Sequence, residues 1–155
     1  MSLFIDLMKI PGANYFHPPR CLLRLASLMM DTPFRTLPVV LVVEDEPLLR
    51  MLAVEAVEAA GFVAIEARDA DEAVAVLESR SDISLLFTDI DMPGSMDGLK
   101  LAHAVRYRWP PIKILIVSGK LRLQSSELPS SSRFIGKPYR AAAMVEELRS
   151  LAGSS

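Results

Sequence analysis

The chain holds one cysteine, Cys21, and two histidines in 155 residues. A lone thiol closes no disulfide within the chain and supplies no Cys/His spacing for a metal, so a reducing cytoplasm is the natural setting. No apolar run reaches the roughly 20 residues that a membrane-spanning helix needs. Strong charge of either sign is also missing. The formal net charge is −2 and the pI about 5.7, which leaves no basic surface to suggest a nucleic-acid partner. What is present is a composition 51% hydrophobic and 23% charged, suited to one globular domain with its own core.

Charge and pattern divide the chain near Pro38. Residues 1–37 carry four basic and two acidic side chains, while residues 38–155 carry 13 basic and 17 acidic. The first part has no strand pattern, and Asp6 and Arg24 interrupt its two apolar patches, a poor fit to a secretory leader. Cys21, Leu22, Leu25, Leu28 and Met29 would share one face of a short helix. The expectation for residues 1–37 is nevertheless a poorly ordered extension, or an over-long start, with translation beginning at Met29 or Met30.

From Pro38 the pattern alternates. "VVLVVE" (39–44) is a continuous β-branched run, as a strand buried on both faces requires. "EPLLRMLAVEAVEAAG" (46–61) reads as a helix with Pro47 in its first turn and Gly61 at its stop. "FVAIEA", "ISLLFTD", "IKILIVSG" and a short "RFIGKPY" read as further strands. "DADEAVAVLESR", "DGLKLAHAVRYRW" and "RAAAMVEELRSLAG" read as helices. Strands alternating with helices of this length imply βαβ units with right-handed crossovers. The fold class expected for residues 38–152 is α/β, a flavodoxin-like (βα)5 three-layer sandwich on a five-stranded parallel sheet, with 153–155 a tail.

In a parallel sheet the carboxyl ends of the strands share one edge. That edge would gather Glu44 and Asp45, Asp89, Ser118 and Lys137. Each has an ordinary explanation alone: an acidic pair after a strand caps a helix, Ser-Gly turns, Lys-Pro sits in a solvated loop. Together they form a chemical set. Three carboxylates held close repel one another unless a cation lies between them. Oxygen-only ligands favour a hard divalent ion such as Mg²⁺. An Asp in such a site can take a phosphoryl group, whose charged oxygens then need a metal, an amine and a hydrogen-bond donor.

"VLVVEDEP", "FTDIDMPGSMDG", "VSG" and "FIGKPY" resemble, in order, the motifs of bacterial response regulator receiver domains, over residues 38–152. The separations of 44 from Asp45 to Asp89, 29 from Asp89 to Ser118 and 19 from Ser118 to Lys137 are similar to the family's. The resemblance implies Asp89 as phospho-acceptor, assisted by Lys137 and Ser118. It implies Mg²⁺ held by Asp45 and Asp89, by Glu44 through water, and by the backbone carbonyl of Asp91. Ser118 and Phe134 take the switch positions, Asp91 and Lys120 the positions that tune phosphoryl lifetime, and the Lys137–Pro138 bond is expected cis. The implied partners are a sensor histidine kinase or histidine phosphotransfer protein and a downstream protein target, with a homodimer open and neither nucleic acid nor membrane involved. Since only "GSS" follows the last helix, the resemblance is to a stand-alone regulator that signals by protein contacts or shuttles or drains phosphate.

Two departures stand out. "MPGSMDG" carries an extra residue, and the serine-rich connection from Ser118 to Lys137 is short and lacks a helical stripe, so its helix is expected to be short or frayed. Two other readings stay open. "TDIDMPG" is similar to the DxD motif of haloacid-dehalogenase-type phosphatases, although their metal-binding acids follow the lysine and Glu44-Asp45 precede the nucleophile. A degenerate receiver that only binds partners is the second.

Overall fold

A computed structural model describes residues 36–119 and 125–153. Its strands are β1 (Val39–Val43), β2 (Val63–Ala67), β3 (Ile83–Asp89), β4 (Lys113–Ser118) and β5 (Ser132–Gly136). All pair in parallel, in the order β2-β1-β3-β4-β5. The α-helices are α1 (Pro47–Ala59), α2 (Ala70–Ser79), α3 (Gly98–Arg108) and α4 (Ala141–Gly153).

Burial explains the strand sequences. Every residue of β1 is buried, as is all of β3 except Ser84 and all of β4 except Lys113. These three inner strands have no wet face, so their runs are apolar without alternation. The edge strands β2 and β5 keep exposed positions. Where β1 shifts register against β3, between Val39 and Val40, the Ser84 hydroxyl takes over: it accepts from the Val39 N–H and donates to the Val39 carbonyl, both at 3.1 Å.

The sheet separates two cores. On one side Val40, Val42, Leu85, Phe87, Leu115 and Val117 pack against Ala53 and Val57 of α1 and Met144, Leu148 and Leu151 of α4. On the other, Leu41, Val43, Leu86, Ile114 and Ile116 meet Ala73 and Leu77 of α2 and Leu101, Ala102 and Val105 of α3. Each large side chain so buried contributes about 1.5–3 kcal/mol of transfer free energy. Helix starts follow local chemistry. Pro47 opens α1, where its missing N–H costs nothing. Asp69 and Asp97 accept from the backbone N–H groups of Glu72 and Lys100, each at 2.8 Å, capping α2 and α3.

The connection between β4 and β5 holds no α-helix among the described residues. Its described part holds one 3₁₀ turn, Ser125–Glu127, then the buried Pro129 and Ser131 at φ 59°. Proline and a left-handed residue both end helical geometry. The expectations for residues 1–35 and for Lys120 lie outside the described residues. Among the described residues no helix is long and apolar enough to cross a membrane.

Candidate functional site

Because β1 and β3 are parallel neighbours, their carboxyl ends emerge side by side. Asp89 is the last residue of β3, 4% exposed, and Glu44 directly follows β1, 2% exposed. Asp45 is half-buried, and one carboxylate oxygen from each of Glu44, Asp45 and Asp89 lies within 4.8 Å of the other two. Neither acid is the cap of the helix that follows: Glu46 stands at the N-cap of α1 with no side-chain cap bond, and Glu44 accepts only a long 3.4 Å bond from the Glu46 N–H. The cap reading of Glu44-Asp45 therefore gives way to the cluster.

Lys137 reaches the cluster from the end of β5. Its backbone N–H donates to the Ser118 carbonyl at 2.8 Å, carrying the β4–β5 ladder one step past Gly136. That step aims the side chain inward, and Nζ donates to Asp89 Oδ2 at 2.8 Å and Glu44 Oε2 at 2.9 Å. The next peptide bond, Lys137–Pro138, is cis. Burial pushes the Glu44 carboxyl above its ordinary value, more than its bond to Lys137 pulls it down. Burial also works against the Lys137 ammonium, but its hydrogen bonds to Asp89 and Glu44 and their charges together hold its pKa above the ordinary lysine value. Three carboxylates and one ammonium leave an excess of negative charge in a largely dry place, which calls for a further cation. The donor set is all oxygen and partly open at Asp45, which fits a hard divalent ion.

Ser118 ends β4 and is 1% exposed. Its hydroxyl donates to Asp91 Oδ2 at 3.0 Å. Asp91 is exposed, and the link exists because the Ile90 N–H bonds the Val117 carbonyl at 3.0 Å, extending the β3–β4 pairing past Asp89. Phe134 is half-buried on β5, in register with Ile116 and packed against the core on the α2/α3 side. Glu44, Asp45, Asp89 and Lys137 are thus brought together, with Ser118 and Asp91 joined beside them.

Three further residues shape the site without a role assigned from sequence. A Cβ built on Gly98 would fall on the Asp89 carbonyl oxygen and within 2.7 Å of Thr88 Oγ1, so the start of α3 packs directly on the Asp89 backbone. A glycine just inside a helix, after its cap, was the available signal. Arg50 donates from Nη1 to the carbonyls of Glu44 at 2.8 Å and Asp45 at 3.4 Å, while Nε meets Glu66 at 3.1 Å. A cation in the first turn opposes the helix dipole, which marks it as held there for another reason. Tyr139 stacks edge-on against Phe87, ring centres 6.1 Å apart, and burial pushes its phenol pKa up.

A doubly wound parallel sheet that aims carboxylates, an amine and a hydroxyl at one edge is the architecture of CheY-like receivers. The chain belongs to that family: the response regulator receiver domain matches residues 40–149. It is 33% identical over 110 residues to the nitrogen assimilation regulatory protein NtrX of Azorhizobium caulinodans, covering 68% of this chain and 24% of that protein. It is 33% identical over 116 residues to the sensor kinase CckA of Brucella abortus, covering 70% of this chain and 12% of that one. The response regulator TrrA of Thermotoga maritima, solved with Mg²⁺-BeF, superimposes with a TM-score of 0.65 at 26% identity, over 74% of this chain and 99% of that one. The chain thus spans a quarter or less of the curated relatives NtrX and CckA. The phosphatase-type order, with the acids after the lysine, is not the one found: Glu44 and Asp45 meet Asp89 from β1.

Proposed function

We propose that Asp89 accepts a phosphoryl group from the phosphohistidine of a sensor kinase or histidine phosphotransfer protein, and that the phosphorylated chain signals by altered protein contacts or passes the group on. The observation that carries this reading is the Lys137 ammonium bound to both Asp89 and Glu44 inside a three-carboxylate cluster. An Asp89 carboxylate oxygen attacks phosphorus, the P–N bond to the donor imidazole breaks, and an aspartyl-phosphate forms. Lys137 exchanges its contacts with the carboxylates for a phosphoryl oxygen, and Ser118 donates to another. Glu44, Asp45, Asp89 and the Asp91 carbonyl would hold Mg²⁺, which when bound offsets charge on the transferring group. Phe134, half-buried behind Ser118's strand, is the residue we assign to fill the space that the hydroxyl leaves. Asp91 and Lys120 flank the acceptor and the switch serine in sequence, where we place control of attack by water.

Beside this site, α1 exposes Leu48, Met51 and Leu52 (56%, 49% and 50%). A groove of about 780 Å³, lined by Leu52, Ala53, Ala56, Pro138, Tyr139 and Met144, runs from Leu52 to Lys137. An apolar face bordering the acceptor is where we place the phosphodonor protein.

The test is intact mass after incubation with acetyl phosphate and Mg²⁺, for wild type and Asp89→Asn. A hydroxylamine-labile gain of one phosphoryl group in wild type alone is expected. Labelling that survives in Asp89→Asn would refute the assignment, and no labelling of wild type would leave the degenerate binding module as the better reading.

A further inference from the structure

A serine hydroxyl has one hydrogen to donate. In this structure Ser118 donates it to Asp91 Oδ2 at 3.0 Å, so the hydroxyl is committed to a carboxylate other than the acceptor. The backbones on both sides are pinned. The Ser118 carbonyl accepts from the Lys137 N–H at 2.8 Å, and Asp91 follows Ile90, whose N–H is bonded to Val117. Ser118 can therefore turn its hydroxyl elsewhere by rotating its side chain, but the strand end need not move. A hydrogen bond to a charged carboxylate is stronger than one between neutral groups. Any oxygen that claims the hydroxyl has to outcompete Asp91.

We propose that Asp91 is a latch on Ser118: its carboxylate holds the hydroxyl away from Asp89 until an anionic phosphoryl oxygen displaces it, and so sets how tightly the site holds a phosphoryl group. The proposal rests on the phospho-acceptor reading above. It makes Asp91 a positioning residue acting through Ser118, a role distinct from its backbone carbonyl. Coupling between the two side chains is its signature, because a carboxylate that merely repelled an incoming anion would act whether or not residue 118 carried a hydroxyl.

The test is calorimetric binding of beryllofluoride, a phosphoryl mimic, with saturating Mg²⁺, to wild type, Asp91→Ala, Asp91→Asn, Ser118→Ala and the double variant Asp91→Ala/Ser118→Ala. Releasing the latch in Asp91→Ala tightens binding about three- to tenfold. Asp91→Asn, which keeps an acceptor oxygen but no charge, falls nearer to wild type. In the Ser118→Ala background the Asp91→Ala gain disappears, the non-additivity expected of two groups in contact. An equal gain in both backgrounds, or none in either, overturns the latch and leaves the phospho-acceptor intact. Failure of wild type to bind beryllofluoride in an Asp89-dependent way overturns both. Asp91 is exposed, so its substitution removes nothing from the core, and thermal unfolding of each variant checks this.

Discussion

Gly98 and Asp89 are in backbone contact: no side chain at 98 can coexist with the Asp89 carbonyl where it stands, and Thr88 Oγ1 closes the same space. Helix propensity alone makes Gly98→Ala favourable by about 1 kcal/mol. The contact reverses the sign. We expect a loss of about 1–3 kcal/mol, as for other overpacked sites, together with slower labelling of Asp89. Urea unfolding decides it, and a stabilised variant would show that α3 can retreat.

Lys137 offsets the charge of two buried acids. Lys137→Met leaves them without that partner, and removing one side of a buried pair is costly. Since Lys137 is partly exposed, with 21% of its side chain accessible, the expected loss in EDTA is smaller than for a fully buried pair, about 1–3 kcal/mol. Mg²⁺ should raise the melting temperature of this variant more than that of wild type. An equal rise in both would mean that amine and metal do not answer the same excess charge.

Glu44 gives a pH dependence in metal-free buffer. Burial raises its folded pKa above the ordinary 4.5, so the folded chain binds its proton more readily than the unfolded chain does. The stability from this group is complete below 4.5 and is lost as pH climbs through the raised folded value. The stability of wild type minus that of Glu44→Gln, followed by urea unfolding in EDTA, should therefore decline with rising pH across that window. A difference that grows with pH would contradict the burial argument.

Arg50 fixes the direction of the acidic pair through the carbonyls of Glu44 and Asp45. Groups that orient metal ligands typically contribute 10–100-fold in affinity. Arg50→Gln is expected to weaken Mg²⁺ binding by about tenfold, measured by calorimetry, with Arg50→Lys recovering part of it through a single donor. Unchanged affinity in both variants would make Arg50 a simple partner of Glu66.

How much of this could be read from the residues follows from what each feature depends on. The inner strands announced themselves because Val39–Val43, Leu85–Phe87 and Ile114–Val117 are buried on both faces, and burial on both faces writes an unbroken apolar run. The acids, Ser118 and Lys137 were visible because polar residues interrupt those runs at their carboxyl ends. The Ser118–Asp91 bond depends on the β3–β4 register, which appears only when the strands pair. Arg50 reaches back from a helix to carbonyls five and six positions earlier, a contact with no periodicity to betray it. The approach of Gly98 to Asp89 joins a helix start to a strand end, and a glycine alone does not name its neighbour. Between β4 and β5, Pro129 and the serines carry neither helical nor strand period, and the 3₁₀ turn Ser125–Glu127 found among the described residues left no signal of its own.

The sheet is also a partition. Along β3, Leu86 belongs to the compartment under α2 and α3, while Leu85 and Phe87 belong to the one under α1 and α4. Alternate residues of one strand therefore serve different helix pairs. Asp89 stands at the carboxyl end of that shared wall, where both compartments border it.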